Sequence, residues 1–463
     1  MDKGKIALIK LLLCVLTGLS LTACSGRLSL PIATVSLSPT TTIQSGNQAI
    51  LTIHLTGDAQ GLVTFHASSN GINISPSSCT IASGQSCQMT VSTDFLQSPP
   101  GKHSISITSS ANVTINPENL DFNIIPRQAA YSYIAADNGE ENQGSIYRCT
   151  VDANGLFDSC NVVIGPSLSS DIGLDLPVGI SFHTLSNGNT YAYIANYSTA
   201  TSGENVYRCL ADSQGGLSSC VLTTDINFPV SQLGPAYIAF NTAPSGITYA
   251  YVPSAGGEQG EQIYRCSINS VNGLLSSCQA TAQDANIISP VVMAFNTASN
   301  GTTYAYVTAG TGINVPGEVY RCQVSSDGLL NSCESELNDI FFPTGIAFNT
   351  SVSGTTYAYI GSLFNSEEGQ PVLLRCLVND SGVLTGCVSA GSNLPLMNTT
   401  GIAFNTTASN ARYVYITDNV NVTGEQVYRC IIGANGFIDN CQSAVNDSNF
   451  NFGGFLPYLM SFN

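Results

Sequence analysis

The chain has 463 residues, 43% of them hydrophobic, enough for two or three domains with cores of their own. Charged residues make up only 9%, and 13 Lys and Arg against 30 Asp and Glu leave a formal net charge of −17. A chain this acidic is repelled by nucleic acid and by anionic lipid surfaces, which argues against both as direct partners. The 43 Gly and 20 Tyr, with abundant Ser, Thr and Asn, point to strands and turns.

The N-terminus carries Lys3, Lys5 and Lys10 ahead of an apolar run from Leu11 to Leu21, too short to remain in a membrane as a spanning helix. It ends in Leu21-Thr22-Ala23-Cys24, which resembles the lipobox of bacterial lipoproteins. That resemblance implies export through the Sec pathway, removal of a signal peptide over 1–23, and acylation of Cys24. A short tether over 24–31 would follow, with membrane contact through the lipid anchor only, at roughly 0.8 kcal/mol per buried CH2. Ser25 rather than Asp follows the cysteine, which in that family implies the outer membrane of the cell envelope. Setting Cys14 and Cys24 aside from the 16 cysteines leaves seven pairs, and an even, regularly spaced set in an exported chain reads as disulfides.

From 32 to 126 short alternating segments recur, among them Ala49 to Leu55, Leu62 to His66 and His103 to Ile107, with turn signals about every ten residues and no helical period. About seven such strands predict a sandwich resembling the general bacterial Ig-like class. Cys79 and Cys87 bracket Ala82-Ser83-Gly84, which predicts a three-residue hairpin loop with both sulfurs on that one hairpin. The expected role is a spacer.

From 127 a repeat takes over, and its period decides the architecture. Cysteine pairs fall at Cys149/Cys160, Cys209/Cys220, Cys266/Cys278, Cys322/Cys333, Cys376/Cys387 and Cys430/Cys441. Each unit carries four strand-like segments, such as Thr344 to Asn349, Thr356 to Ile360, Val319 to Val324 and Leu329 to Cys333, which predicts β-propeller blades. Tyr-x-Tyr segments start at Tyr131, Tyr191, Tyr249, Tyr304, Tyr357 and Tyr413, and the preceding strands end at His183, Asn241, Asn296, Asn349, Asn405 and Asn463. The first Tyr segment follows a linker over 126–130, and the last Asn is the final residue. The prediction is an all-β chain: an Ig-like β-sandwich followed by a six-bladed propeller over 127–463, closed by the C-terminal strand as the innermost member of the first blade. The Tyr306-Val307-Thr308 and Tyr415-Ile416-Thr417 turns and the Gly-Ile-Ala-Phe-Asn strands resemble the YVTN and NHL classes of bacterial propeller, although YVTN proteins often have seven blades and lack these staples. The absence of Trp argues against WD40 and tryptophan-docked quinoprotein propellers.

In three stapled hairpins the cysteines are centred on Asn-Gly or Asp-Gly, at Asn154-Gly155, Asp327-Gly328 and Asn435-Gly436, which predicts a type I′ turn with the two Cα atoms about 5.5 Å apart. Cys266/Cys278 has one residue more, and Val271-Asn272-Gly273 is expected to absorb it as a bulged loop. Structural disulfides, each worth somewhat under about 3 kcal/mol, explain the spacing better than zinc, which needs tighter Cys pairs or nearby His. Arg148, Arg208, Arg265, Arg321, Arg375 and Arg429 each precede the first cysteine. One per unit suits pairing with a carboxylate or a carbonyl between blades, with Glu204, Glu261, Glu318 and Glu425 as candidate partners. The paired tyrosines read as core, and the Asn closing each inner strand as a turn cap.

The loops between second and third strands vary, and unlike loops on a regular scaffold are where binding faces are built. Candidate binding residues are Asp137, Glu140, Glu141, His183, Glu367 and Glu368. The expectation is a lipid-anchored, non-catalytic propeller that binds a protein or glycan ligand through its loop rim, with no cofactor, no resident metal, no catalytic residue and no nucleic acid. The alternatives are a lactonase-like propeller hydrolase with a metal in its channel, known only by fold analogy, and a scaffold for envelope assembly facing the periplasm.

Overall fold

The computed structural model describes residues 31–38, 42–44, 48–57, 59, 61–69, 72–93, 101–125, 131–137, 144–165, 172–197, 205–223, 234–254, 262–282, 287–310, 316–351, 353–362, 372–391, 394, 396, 398–407, 411–418, 427–445 and 456–463. Among them every regular element is a strand, and the chain divides into two compact units after Ile125. No helix among the described residues is long and apolar enough to cross a membrane. Cys24 lies outside the described residues.

The first unit holds two five-stranded sheets, ten strands where the turn spacing suggested about seven. The additional strands are three-residue pieces such as Thr42–Gln44, Asn73–Ser75 and Thr114–Asn116, too short to leave a period-2 signal. Ile32–Ser38 alternates exposed and buried side chains along its whole length, the mark of a strand with one face on a core. Leu51, Ile53 and Val91 of one sheet meet Phe65, Ile105 and Ile124 of the other in one cluster, all 0 or 1% exposed. Each such side chain contributes roughly 1.5–3 kcal/mol.

Cys79 and Cys87 are bonded, but not across a hairpin. Ser78–Ile81 pairs with Val63–Ser68 in one sheet, while Ser86–Ser92 pairs with Gln48–Thr56 in the other. The Ala82-to-Gln85 corner is tied to the end of a third strand, Gly84 donating to the Leu55 carbonyl and Leu55 to that of Gln85. The chain therefore changes sheets at Gly84, and the disulfide joins the two layers.

The second unit consists of six four-stranded antiparallel sheets, numbered here by their Tyr-x-Tyr strands. Sheet 4 is typical, with Pro290–Thr297, Thr303–Ala309, Pro316–Val324 and Leu330–Phe341 in sequence order. Sheets 2 to 6 are each built from consecutive strands. Sheet 1 is not: Tyr131–Asp137, Ser145–Val151 and Phe157–Ile164 are joined by Leu456–Phe462, whose Met460 and Phe462 oppose Ile134 and Ser132. The second strand of each sheet is buried on both faces, whereas the fourth is largely exposed, as Thr190–Tyr197 and Leu217–Leu222 show in sheet 2. Burial on both faces explains the Tyr-Ala-Tyr alternation, large against one neighbour and small against the other.

All six hairpin disulfides are present as expected: Cys149–Cys160, Cys209–Cys220, Cys266–Cys278, Cys322–Cys333, Cys376–Cys387 and Cys430–Cys441. Their geometry corrects the expected turn. In sheet 4 Gly328 donates to the Ser325 carbonyl and Ser325 to that of Leu329, while Gly328, at φ 82°, is the turn's one left-handed residue. A type I turn followed by a left-handed glycine bulge meets this description, where a type I′ turn would need Asp327 left-handed as well.

The expected spacing of the cysteines is corrected too. In all six bonds the Cα atoms are 4.0 Å apart, closer than in an undistorted hydrogen-bonded pair. The register shifts once more at the cysteines. In sheet 4 Arg321 faces Glu334 but Gln323 faces Asn331. In five sheets the residue before the second cysteine is left-handed: Ser219, Ser277, Ser332, Gly386 and Asn440 precede Cys220, Cys278, Cys333, Cys387 and Cys441. These five cysteines therefore sit at a bulge rather than in a regular pair. Cys160 alone keeps the expected place directly opposite its partner, Cys149, and the register shifts just beyond it.

Candidate functional site

The repeated polar residues meet at the contacts between neighbouring sheets. In every sheet the second tyrosine of the Tyr-x-Tyr pair donates its hydroxyl to the carbonyl of the turn glycine in the next sheet. Tyr133 reaches Gly215 at 2.8 Å, while Tyr193, Tyr251 and Tyr359 reach Gly273, Gly328 and Gly436 at 2.6 Å. Tyr306 donates to Gly382 in the same way. The sixth, Tyr415, returns to Gly155 of sheet 1 at 2.5 Å. The glycine is required here: a Cβ on Gly328 would lie 2.6 Å from a ring carbon of Tyr249, and one on Gly436 2.7 Å from Tyr357.

Burial pushes all six donating phenols well above the ordinary tyrosine value, the adjacent arginine charge pulling partly the other way. They stay protonated and remain donors. The inner-strand amides of Asn463, Asn241, Asn296, Asn349 and Asn405 lie beside Tyr133, Tyr251, Tyr306, Tyr359 and Tyr415 and pull weakly against that rise. The expected turn-cap role is not met at Asn405, whose two side-chain polar atoms have no hydrogen-bond partner among the described residues. The inner hairpin turns are capped from within, as where Asn187 and Asn300 accept from the amides of Asn189 and Thr302 at 3.0 and 2.8 Å.

The first tyrosine of each pair lies beneath the arginine that precedes the first cysteine, with the guanidinium carbon 4.4 to 5.2 Å from the ring centroid in all six sheets. Such a contact contributes about 0.5–2 kcal/mol, more as water is excluded. Five arginines also donate to a carbonyl of the next sheet, one residue before its turn glycine. Arg148 reaches Gln214 at 2.9 Å and Arg375 reaches Asn435 at 2.6 Å, while Arg208, Arg265 and Arg429 bind the carbonyls of Asn272, Asp327 and Asn154. The carbonyl alternative thus holds for these five. Glu204, Glu261 and Glu425 lie outside the described residues.

Arg321 departs from the pattern. It forms the ion pairs found among the described residues, with Glu334 at 3.0 Å and Glu336 at 2.5 Å. Glu336, its side chain 5% exposed, also accepts the Leu384 amide of sheet 5 at 2.9 Å. At the corresponding contacts Thr223 and Thr281 receive the Leu275 and Leu330 amides at 2.8 and 2.7 Å. Glu318, a candidate partner for Arg321, binds the Tyr320 hydroxyl instead; burial and then this carboxylate push that phenol up to about 12.

Between the sheets' inner segments Leu459, Val292, Ile346 and the flanking Tyr237 belong to a single apolar cluster drawn from sheets 1, 3, 4 and 5. Burial pushes the Tyr237 phenol up, with Ser181 hydrogen-bonded to it. Ser181 itself donates to the Ile238 carbonyl at 2.7 Å.

The residues picked out for binding are not brought together. His183 is the penultimate residue of Leu176–Thr184, at the position other sheets give to Asn, and it stacks on Phe240 of sheet 3 at 5.0 Å between ring centroids. Burial holds its pKa down at about 4. Asp137 ends the second strand of sheet 1 with its backbone opposite Leu456. The Asp137 side chain and residues Glu140, Glu141, Glu367 and Glu368 lie outside the described residues. Among the described residues no three His, Cys, Asp or Glu side chains are grouped as metal ligands.

Three residues of structural weight carried weaker signals. Phe157 stacks on Tyr415 of sheet 6 at 5.3 Å and lies 6.2 Å from Phe462. Its repeat equivalents are Leu217, Leu275, Leu330, Leu384 and Ile438, so the one aromatic at that position was the clue. Glu336 stands three residues after the second cysteine, where the other sheets carry Val163, Thr223, Thr281, Ala390 and Ala444. Tyr237 stands four before the inner-strand Asn (His183 in sheet 2), where they carry Gly179, Val292, Gly345, Gly401 and Leu459, so each is likewise the odd residue at its repeat position.

No protein-family model and no curated protein matches the chain. Among solved structures, it is similar to the crystal structure of an unknown function protein from Dyadobacter fermentans DSM 18053. The identity is 11% over 65% of this chain and 93% of that one, with a TM-score of 0.38, a likeness too slight to carry fold or function.

Proposed function

We propose that 127–463 form a six-bladed β-propeller closed by Leu456–Phe462, carried on an Ig-like spacer and anchored by lipid at Cys24 to the outer membrane. Its function is non-catalytic recognition of a protein or glycan through the loops that do not repeat. Support for the architecture comes from the tyrosine-to-glycine hydrogen bonds, which run from each sheet to the next and from sheet 6 back to sheet 1. The observation that carries the functional reading is how the repeated polar groups are used. Five of the six arginines, the six donating tyrosines and the six turn glycines are engaged in contacts between sheets. Arg321 is held by Glu334 and Glu336 of its own sheet, and the inner segments share apolar Leu459, Val292 and Ile346. Unlike loops then remain as the surface on which selectivity can be built.

The test has two arms. Purified protein is screened for retention of glycans and surface-extract proteins, and for turnover of a lactone and phosphoester panel with and without added divalent cations. Specific retention without turnover is the expected result; robust metal-dependent turnover without any retained partner would overturn the reading. Radiolabelled palmitate should enter the wild-type chain and be lost in Cys24→Ser, and protease treatment of intact cells distinguishes surface display from a periplasm-facing scaffold.

A further inference from the structure

We infer that the seven disulfides are installed locally, each between consecutive cysteines and the six hairpin bonds before neighbouring sheets pack, so that the chain requires a thiol oxidant but no disulfide isomerase. Fourteen cysteines can pair in roughly 10^5 ways, yet every bond here joins a cysteine to the next one along the chain. The separations are 8 residues for Cys79–Cys87, 12 for Cys266–Cys278 and 11 for the other five. For the hairpin cysteines the nearest wrong partner is about four times further along the chain, as Cys376 is from Cys333, and loop-closure statistics then favour the local bond roughly eightfold at each site.

Two further observations separate this from statistics alone. The hairpin turns are organised by their own residues. Asp152 Oδ1 accepts the amides of Asn154 and Leu156 at 2.8 and 2.7 Å; Asp212 and Asn379 do the same within their turns at 2.8 and 2.9 Å. Such a turn brings both thiols near one another without help from a second sheet. In addition, the first cysteine of every hairpin is 0% exposed once the sheets are in place. A thiol so enclosed cannot itself attack an external oxidant. Once the sheets have packed only the second cysteine, partly buried at Cys220, Cys278, Cys333, Cys387 and Cys441, is left to do so, and oxidation of the open hairpin is the faster route.

With oxidised glutathione as oxidant the chemistry balances. One cysteine thiolate attacks the glutathione disulfide, forming a mixed disulfide and releasing one glutathione. The second cysteine then attacks the chain sulfur of that mixed bond and releases the other. Each pair loses two electrons and two protons, and two reduced glutathione molecules result.

The test uses the full chain carrying Cys14→Ala and Cys24→Ala, reduced in guanidinium and diluted into a glutathione redox buffer with or without protein disulfide isomerase. Samples quenched with N-ethylmaleimide are mapped by peptide mass spectrometry and followed in parallel by near-ultraviolet circular dichroism of the tyrosines. Consecutive pairs should dominate from the earliest samples, with other pairs near or below about a tenth. The dichroism should follow disulfide formation, and isomerase should leave the native yield unchanged. Early accumulation of non-consecutive links, a severalfold gain in yield with isomerase, or tyrosine dichroism developing while the hairpin thiols are free would each overturn the proposal. The added pair Cys322→Ser and Cys333→Ser should leave the remaining six bonds forming as before; scrambling among them would equally overturn it.

Discussion

Replacing Gly328 by Ala probes the contact between sheets 3 and 4 through a single carbon. The residue sits at φ 82°, and its added Cβ would lie 2.6 and 2.8 Å from ring carbons of Tyr249 and 3.0 Å from the Tyr251 hydroxyl. The left-handed conformation costs an L-residue about 1–2 kcal/mol, and forcing a buried neighbour aside adds about 1–3 kcal/mol, so Gly328→Ala should destabilise by roughly 2–5 kcal/mol. Gly301 supplies the control: it has the same φ of 82° in the inner turn of sheet 4, but nothing lies within 4 Å of its built Cβ. Gly301→Ala should therefore lose only the conformational part, about 1–2 kcal/mol. Urea unfolding with the disulfides intact measures both, provided the slope with denaturant is unchanged. Equal losses would refute the claim that the turn glycine is fixed by the tyrosines of the preceding sheet.

Further expectations follow from individual contacts. Tyr251→Phe and Tyr415→Phe should each cost about 1–3 kcal/mol, because a buried glycine carbonyl loses its donor, and equivalent losses at both sites would indicate that the contact between sheets 6 and 1 is as well formed as that between 3 and 4. Glu336→Ala should destabilise by several kcal/mol, on the order of 3, since the carboxylate is 5% exposed and serves both Arg321 and Leu384. Glu334→Ala, removing a carboxylate 70% exposed, should change the urea midpoint hardly at all. Burial holds His183 near pKa 4, below its ordinary 6.5, so the unfolded ring takes up a proton first as the solution is acidified. The stability tied to the neutral ring is complete above pH 6.5 and declines as pH falls towards 4. His183→Asn, which restores the repeat residue, should flatten that slope in midpoints measured across this window.

In the second unit the strands, the six hairpin pairings and the glycine-centred turns were legible because cysteine, glycine and tyrosine recur at fixed offsets. The turn type was not, since Asp327-Gly328 suits either a type I′ turn or a type I turn with a glycine bulge, and only the hydrogen bonds of Ser325 and Gly328, with Gly328 as the one left-handed residue, tell them apart. Periodicity likewise identified the arginines as structural but could not separate carbonyl from carboxylate partners. That distinction depends on where the next sheet presents its turn, and on Glu336 in one sheet alone. The Cys79–Cys87 bond was misplaced for a related reason. A three-residue loop between short strands reads as a hairpin, and only the hydrogen bonds to Leu55 show that the chain changes layers there. The candidate binding acids gave the least return, because loops without a repeat offer no internal standard against which an unusual residue stands out.

The proposal that recognition resides in the non-repeating loops is tested most directly by replacing 138–143, 255–261 and 363–371, singly and together, with Gly-Ser segments of equal length. The urea midpoint should remain that of the wild type, while retention of the glycan or surface-extract ligand should fall with one or more replacements and vanish in the combined variant. Undiminished retention in the combined variant, with stability unchanged, would contradict the account and place recognition elsewhere on the sheets.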